Sequence, residues 1–197
     1  VWYKQVEKSS WNTFDDSKNW LQMDKAGHFY ASYKLNALAT DMYRWCGVQT
    51  KYAKWIGLAV SLGFQTNLEF FDAHTQEWGW SWTDFSANIL GASSFTAQMH
   101  LWNEERIIPK FSYSPSPFAQ IRPNVLGSTF TEQLLKDYNG QTYWLSVSPG
   151  SFFKRKNIPK WLCISLGYSA HEKLVGSSPY FMDSESGQEY FEQREFL

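Results

Sequence analysis

Residues 55–71 read WIGLAVSLGFQTNLEFF, the longest apolar stretch in the chain. Ser61, Gln65, Thr66, Asn67 and Glu69 interrupt it. It therefore falls short of the roughly 18 uninterrupted apolar residues of a spanning helix, and no transmembrane helix is expected within the sequence. At helical spacing, Trp55, Leu58, Ala59, Leu62 and Leu68 supply the apolar side of a helix over about 51–71. Gly57 and Gly63 weaken that helix locally and allow a neighbour to approach closely.

Two further helices flank it. Upstream, Phe29, Leu35, Leu38, Met42 and Trp45 recur near helical spacing from about residue 21, and Gly47 is placed to cap the C-terminus. Downstream, residues 72–81 read as a loop rich in tryptophan. Ser81 then serves as N-cap with Asp84 three residues on, a capping-box-like start whose carboxylate also favours the helix dipole. This third helix is expected to run to about residue 106, with Pro109 just beyond it.

The flanks differ in character. Residues 1–20 are polar and aromatic and read as an irregular lead-in. After Pro109 the period changes, and Pro115, Pro117, Pro123, Pro149 and Pro159 cut the chain into short pieces. A short helix is expected near 129–136, a tight turn at Asn139-Gly140, and strands over 142–146 and 162–168. The fold class is α+β, mainly α: a three-helix antiparallel core (21–108) followed by an irregular extension of short strands (109–197).

A length of 197 residues is enough for one large domain with a well-buried core. The net charge of -1 and scattered Lys and Arg exclude the basic footprint of a nucleic-acid binder. Eleven Trp, eleven Tyr and fifteen Phe sit mostly beside polar residues. Such rings bury apolar area while keeping an N–H or O–H hydrated, which suits protein interfaces and the headgroup zone of a bilayer, or else an aromatic-rich core. No signal peptide is visible after the opening Val1-Trp2-Tyr3, so a flanking segment is expected to carry any anchor. Cys46 and Cys163 lack metal-site spacing. No nucleophile motif, phosphate loop or cofactor fingerprint is present, and no cofactor is expected.

The chemistry-bearing feature is a set of polar residues inside the apolar helices. Asp24 and His28 stand one turn apart on the first helix, Glu69 and Asp72 close the second, and Asp84 and Asn88 stand one turn apart on the third. In an antiparallel core these three segments share one end, so the six side chains are expected to converge, with Lys25 and His74 nearby. Carboxylates around an imidazole suit a divalent cation held by Asp24, His28, Glu69, Asp72 and Asp84, or an acid-base pair centred on His28. The alternative is a buried hydrogen-bond network that fixes helix register. Glu104, Glu105 and Arg106 read as a solvated face. Arg122-Pro123, Gly127 and residues 136–144 read as a polar-aromatic partner surface or as ordinary turn chemistry.

The combination Asp24-Lys25-Ala26-Gly27-His28, Glu69, and Ser81-Trp82-Thr83-Asp84-Phe85-Ser86-Ala87-Asn88-Ile89-Leu90-Gly91 resembles the YfiM-type predicted periplasmic lipoprotein family and, more distantly, the VanZ-like membrane proteins. Arg122-Pro123 and residues 136–146 resemble the larger Bacteroidota members of the lipoprotein family. The resemblance implies an envelope location at the periplasmic face of the outer membrane, with the carboxylate-histidine set as a shared polar core, and supplies no reaction. The chain departs from the VanZ-like pattern at Phe70, where those proteins carry Gln, and in the polarity of its helices. Two functions are consistent with this. One is a non-enzymatic accessory subunit of an outer-membrane complex, with barrel or secretion-complex proteins and the membrane surface as partners. The other is a membrane-surface enzyme acting on lipid or cell-wall precursors through His28, Glu69, Asp84 and Asn88.

Overall fold

A computed structural model describes residues 7–76, 78–153, 158–159, 161–184 and 186–197; the first six residues of the expected lead-in lie outside them. The chain forms two compact units, one of residues 1–17 and 25–105, the other of 18–24 and 106–197.

The first unit is a three-helix bundle of α1 (Met23–Trp45), α2 (Thr50–Asp72) and α3 (Trp82–Leu101), α1 counting here from residue 25. Gly47 ends α1 as expected: it takes a φ of 90°, its N–H reaches the Arg44 carbonyl at 2.9 Å, and the Val48 N–H reaches that of Tyr43 at 3.0 Å. This paired arrangement satisfies the last carbonyls of the helix. Ser81 caps α3 by accepting the Asp84 N–H. α3 stops at Leu101 rather than near residue 106, because Asn103 adopts a left-handed φ of 56° that breaks the helical path. Residues 8–14 run beside the α2–α3 loop, held by bridges of Lys8 to Thr75 and Thr13 to Trp80.

The helices bury the opposite faces from those their apolar spacing suggests. α2 buries Ala53, Lys54, Gly57, Ser61, Gln65 and Glu69, whereas Trp55 is half exposed, Ala59 is exposed and Leu58, Leu62 and Leu68 are only half buried. On α1 the expected core positions Leu38 and Met42 are more than half exposed and Trp45 is 90 % exposed, while Ser32, Asn36 and Thr40 are fully buried. Small and short polar residues allow close approach of three backbones, and large rings at the same positions would hold them apart. Gly57 and Gly91 mark the tightest contacts: a Cβ at Gly57 would meet Thr40 Oγ1 at 2.3 Å. The apolar interior of the unit is the small cluster of Tyr33, Phe95 and Met99.

The second unit is built on an antiparallel sheet of order β1-β2-β3-β6, from β1 (Ile107–Tyr113), β2 (Gln141–Val147), β3 (Ile164–His171) and β6 (Gln193–Phe196). β2 and β3 cover the two expected strands; β1 does not appear in the sequence reading. Pro109 is accommodated because β1 is an edge strand, where a missing N–H need not break a ladder. β4 (Tyr180–Met182) and β5 (Glu189–Phe191) form a separate pair. Short helices α4 (Phe118–Ile121), α5 (Pro123–Leu126), α6 (Phe130–Lys136) and α7 (Pro149–Phe152) connect the strands. α6 starts on a full capping box between Thr129 and Glu132, and the Asn139-Gly140 turn closes through Gly140 N–H to Asp137 O at 3.0 Å. The core gathers Phe118, Ala119, Leu126, Leu174 and Tyr190, with a second cluster of Leu21, Met23 and Ala170.

Candidate functional site

Short polar residues recur at every fourth position on the buried faces: His28, Ser32, Asn36 and Thr40 on α1, and Gly57, Ser61, Gln65 and Glu69 on α2. Their contacts show the register. Ser61 Oγ donates to Ser32 O at 2.8 Å, Ser32 Oγ donates to Asn88 O at 2.7 Å, and Asn36 Nδ2 donates to both Ala92 O and Thr96 Oγ1 at 2.8 Å. α1 and α3 therefore run in the same direction, with α2 opposed. Side chains bonding to neighbouring backbones tie the helices together where apolar packing is sparse.

At the end of this ladder four of the six expected residues meet. His28 Nδ1 lies 3.2 Å from Asn88 Oδ1 and 3.5 Å from Glu69 Oε1, and Asn88 Nδ2 donates to Glu69 Oε1 at 3.3 Å. Both neighbours of Nδ1 are acceptors, so Nδ1 is the nitrogen that carries the ring proton. Nε2 faces Asp84 Oδ2 at 3.9 Å. Glu69 and Asn88 are almost wholly buried and His28 is half buried.

Beside them is a charged triplet in which Lys25 and Asp84 were expected and Asp16 was not. Lys25 Nζ lies 2.5 Å from Asp16 Oδ2 and 2.7 Å from Asp84 Oδ1, and Ser81 and Thr83 each donate to Asp16 Oδ1 at 2.7 Å. Burial alone would push the Asp16 carboxyl up. Its hydrogen bonds with Asp84, Lys25, Ser81 and Thr83 outweigh that and hold it at about 2. Asp16 lies in the irregular lead-in, where only its place in the fold marks it out.

The remaining candidates are placed otherwise. Asp24 accepts a hydrogen bond from Tyr138 at 3.0 Å within the second unit. Asp72 ends α2, its carbonyl accepting from Thr75 Oγ1 at 2.9 Å. His74 packs against Phe70, with centroids 4.6 Å apart, and against Trp11. Glu105, expected on a solvated face, accepts from Tyr33 Oη at 2.8 Å. Arg122, expected on a partner surface, donates to Leu174 O at 2.7 Å and lies over the Phe181 ring, because its guanidinium completes the interior of the second unit.

As a metal centre, the helical unit offers His28 Nε2 and Asp84 Oδ2, whose 3.9 Å separation suits two ligands of one ion. The positive charge that Asp84 faces is supplied by Lys25, and Glu69 is engaged by Asn88. What the array does chemically is hold buried carboxylates with matched donors.

No curated protein matches this chain. No solved structure matches it either. No described helix is long and apolar enough to cross a membrane. A family model does match, over the stretch that contains the polar ladder, His28, Glu69, Asp84 and Asn88: residues 10–100 are similar to the family described as predicted periplasmic lipoprotein (DUF2279).

Proposed function

We propose that the chain is a non-enzymatic accessory subunit of an assembly at the periplasmic face of the outer membrane. The observation that carries this reading is an aliphatic ladder on the sheet of the second unit. Ile107, Val147 and Ile164 stand side by side across β1, β2 and β3, and Pro109, Leu145 and Leu166 form the next rung. Leu145, Ile164 and Leu166 are exposed, Leu166 by 62 %, while Ile107 and Val147 are half-buried and Pro109 is buried at the edge. Adjacent exposed aliphatic residues on a sheet face fit a protein contact, whereas isolated ones are ordinary surface.

The polar array supports the same reading. Glu69 is satisfied by Asn88, and Asp16 and Asp84 by Lys25, so these residues act on one another. The partial exposure of His28 is the one feature that favours an enzyme acting on lipid or cell-wall precursors. The family description supplies periplasm and lipoprotein. The resemblance to Bacteroidota members makes the type 9 secretion translocon and other large outer-membrane machines the candidate assemblies.

Mild-detergent pull-down of the tagged full-length protein from native membranes, with mass spectrometry of what stays bound, tests the proposal. Stoichiometric barrel or secretion components that are lost with Leu145→Asp/Leu166→Asp are expected. A clean monomer would overturn it and direct effort to a His28→Ala activity screen.

A further inference from the structure

All three helices expose apolar side chains, Leu38, Met42 and Trp45 on α1 among them, but charge is distributed unevenly between them. On α2, Tyr52, Trp55, Val60, Phe64, Phe70 and Phe71 face outward; on α3, Trp82, Ile89, Leu90 and Leu101 do. Phe64 is 55 % exposed and Leu90 61 %. From residue 55 to 68 of α2, and from 85 to 101 of α3, there is no Asp, Glu, Lys or Arg. The outward surface of α1 differs: exposed Asp41 and Arg44 and half-buried Lys34 interrupt it.

We infer that the outer face of α2 and α3 lies in the acyl layer of a membrane, with α1 turned to water, so that the bundle is seated on the lipid without any helix crossing it. The charge distribution is complementary to a lipid surface. The uncharged length of α2 is about 21 Å at 1.5 Å per residue. Lys54 and Glu69, which bound it, are buried, so the outer face of α2 carries no charge between Lys51 and Asp72. Tyr52, Trp55 and Trp82 lie near the ends of the two helices, the position at which amphipathic rings favour the headgroup boundary.

The inward faces fit the same environment. Ser32, Ser61, Asn36 and Thr96 join helices by hydrogen bonds, and Gly57 and Gly91 admit close backbones. Such contacts hold the three helices together without a large apolar interior, which leaves the apolar side chains of α2 and α3 on the outer face. Average hydropathy misses this because each helix combines a polar inner face with an apolar outer one.

This inference does not depend on the proposed partner complex, since lipid covers the helical unit and a protein partner would use the other.

The test is flotation of the 197-residue chain with protein-free vesicles of phosphatidylethanolamine and phosphatidylglycerol (3:1) in high salt. Wild type is expected to float. Phe64→Glu/Leu90→Glu should reduce the floated fraction at least tenfold with an unchanged helical circular-dichroism spectrum, because exposed positions tolerate charge in water. Leu38→Glu, on α1, should change it less than twofold. Failure of wild type to float, or equal flotation of the double variant, overturns the inference. So would a salt-resistant dimer that the double variant dissolves, which would assign the face to a second copy.

Discussion

Gly91 brings α3 so close to α1 that a Cβ built on it would stand 2.1 Å from the carbonyl oxygen of Phe29. The obstacle is backbone, which cannot swing aside as a side chain can. Gly91→Ala is expected to cost about 3 kcal/mol in denaturant unfolding. Gly63 is the control, because it lies within α2 with nothing within 4 Å of its Cβ direction. There Gly63→Ala should stabilise by about 0.5–1 kcal/mol through helix propensity alone. Equal losses at both positions would show that the close approach of α1 and α3 is not what makes Gly91 necessary.

Asn36 is fully buried and binds three partners: it donates to Ala92 O and Thr96 Oγ1, both at 2.8 Å, and accepts from Thr40 Oγ1 at 3.2 Å. Asn36→Ala removes these bonds, taking an acceptor from the Thr40 hydroxyl and a donor from Thr96, whose own hydroxyl still donates to Ala92 O at 3.3 Å, an expected loss of about 3 kcal/mol. Adding Thr96→Val should cost less than the sum of the two single changes, because the Asn36–Thr96 bond is lost only once. A double-mutant cycle by urea unfolding should give a coupling of about 1 kcal/mol. Strict additivity would mean that the ladder is not a cooperative network.

The three helices were legible because their length, caps and loop residues are local properties. Gly47 and Ser81 end and begin helices through their own backbone and side-chain chemistry, whatever packs nearby. Which face turns inward was read the wrong way round. Apolar spacing alone did not mark the core: Leu38, Met42 and Trp55 are exposed while Ser32, Asn36 and Ser61 are buried. The signal that identifies the inner face was present as an every-fourth-residue polar pattern, His28-Ser32-Asn36-Thr40, running parallel to the apolar one. Of the site, His28, Glu69, Asp84 and Asn88 were recognisable from their placement at helix ends. Asp16 was not, because a carboxylate in an irregular segment has no periodicity and joins the site only through Lys25, Ser81 and Thr83. β1 was hidden by Pro109, which is read as a breaker unless the strand is known to lie at an edge.

Asp16 should make the helical unit acid-sensitive. Its folded carboxyl, held at about 2, lies below the ordinary value of 3.8. The stabilisation is therefore complete above pH 4 and is lost as pH falls toward 2, amounting to about 2 kcal/mol over that window. Melting temperatures of wild type and Asp16→Asn, followed from pH 5 to pH 2, should converge as the pH drops. A constant gap between them would show that Asp16 does not titrate in this range in the folded protein.

In the second unit, Lys173 is only 2 % exposed, and its ammonium donates to Ser178 O at 3.0 Å and pairs with Glu192. Asn139 clasps the same residue's backbone, accepting its N–H at 2.7 Å and donating to its carbonyl at 3.0 Å, so the position is fixed independently of the charge. Lys173→Met keeps the volume of the stem and removes the charge, leaving Glu192 without its cation. Because Glu192 is partly solvated, the expected loss is about 2 kcal/mol, less than for a fully enclosed pair. Glu192→Gln in the Lys173→Met background should recover about half of it by removing the uncompensated carboxylate. If the second change recovers nothing, the loss lies in the Ser178 hydrogen bond and in packing, and the ion pair contributes little to holding β4 and β5 in place.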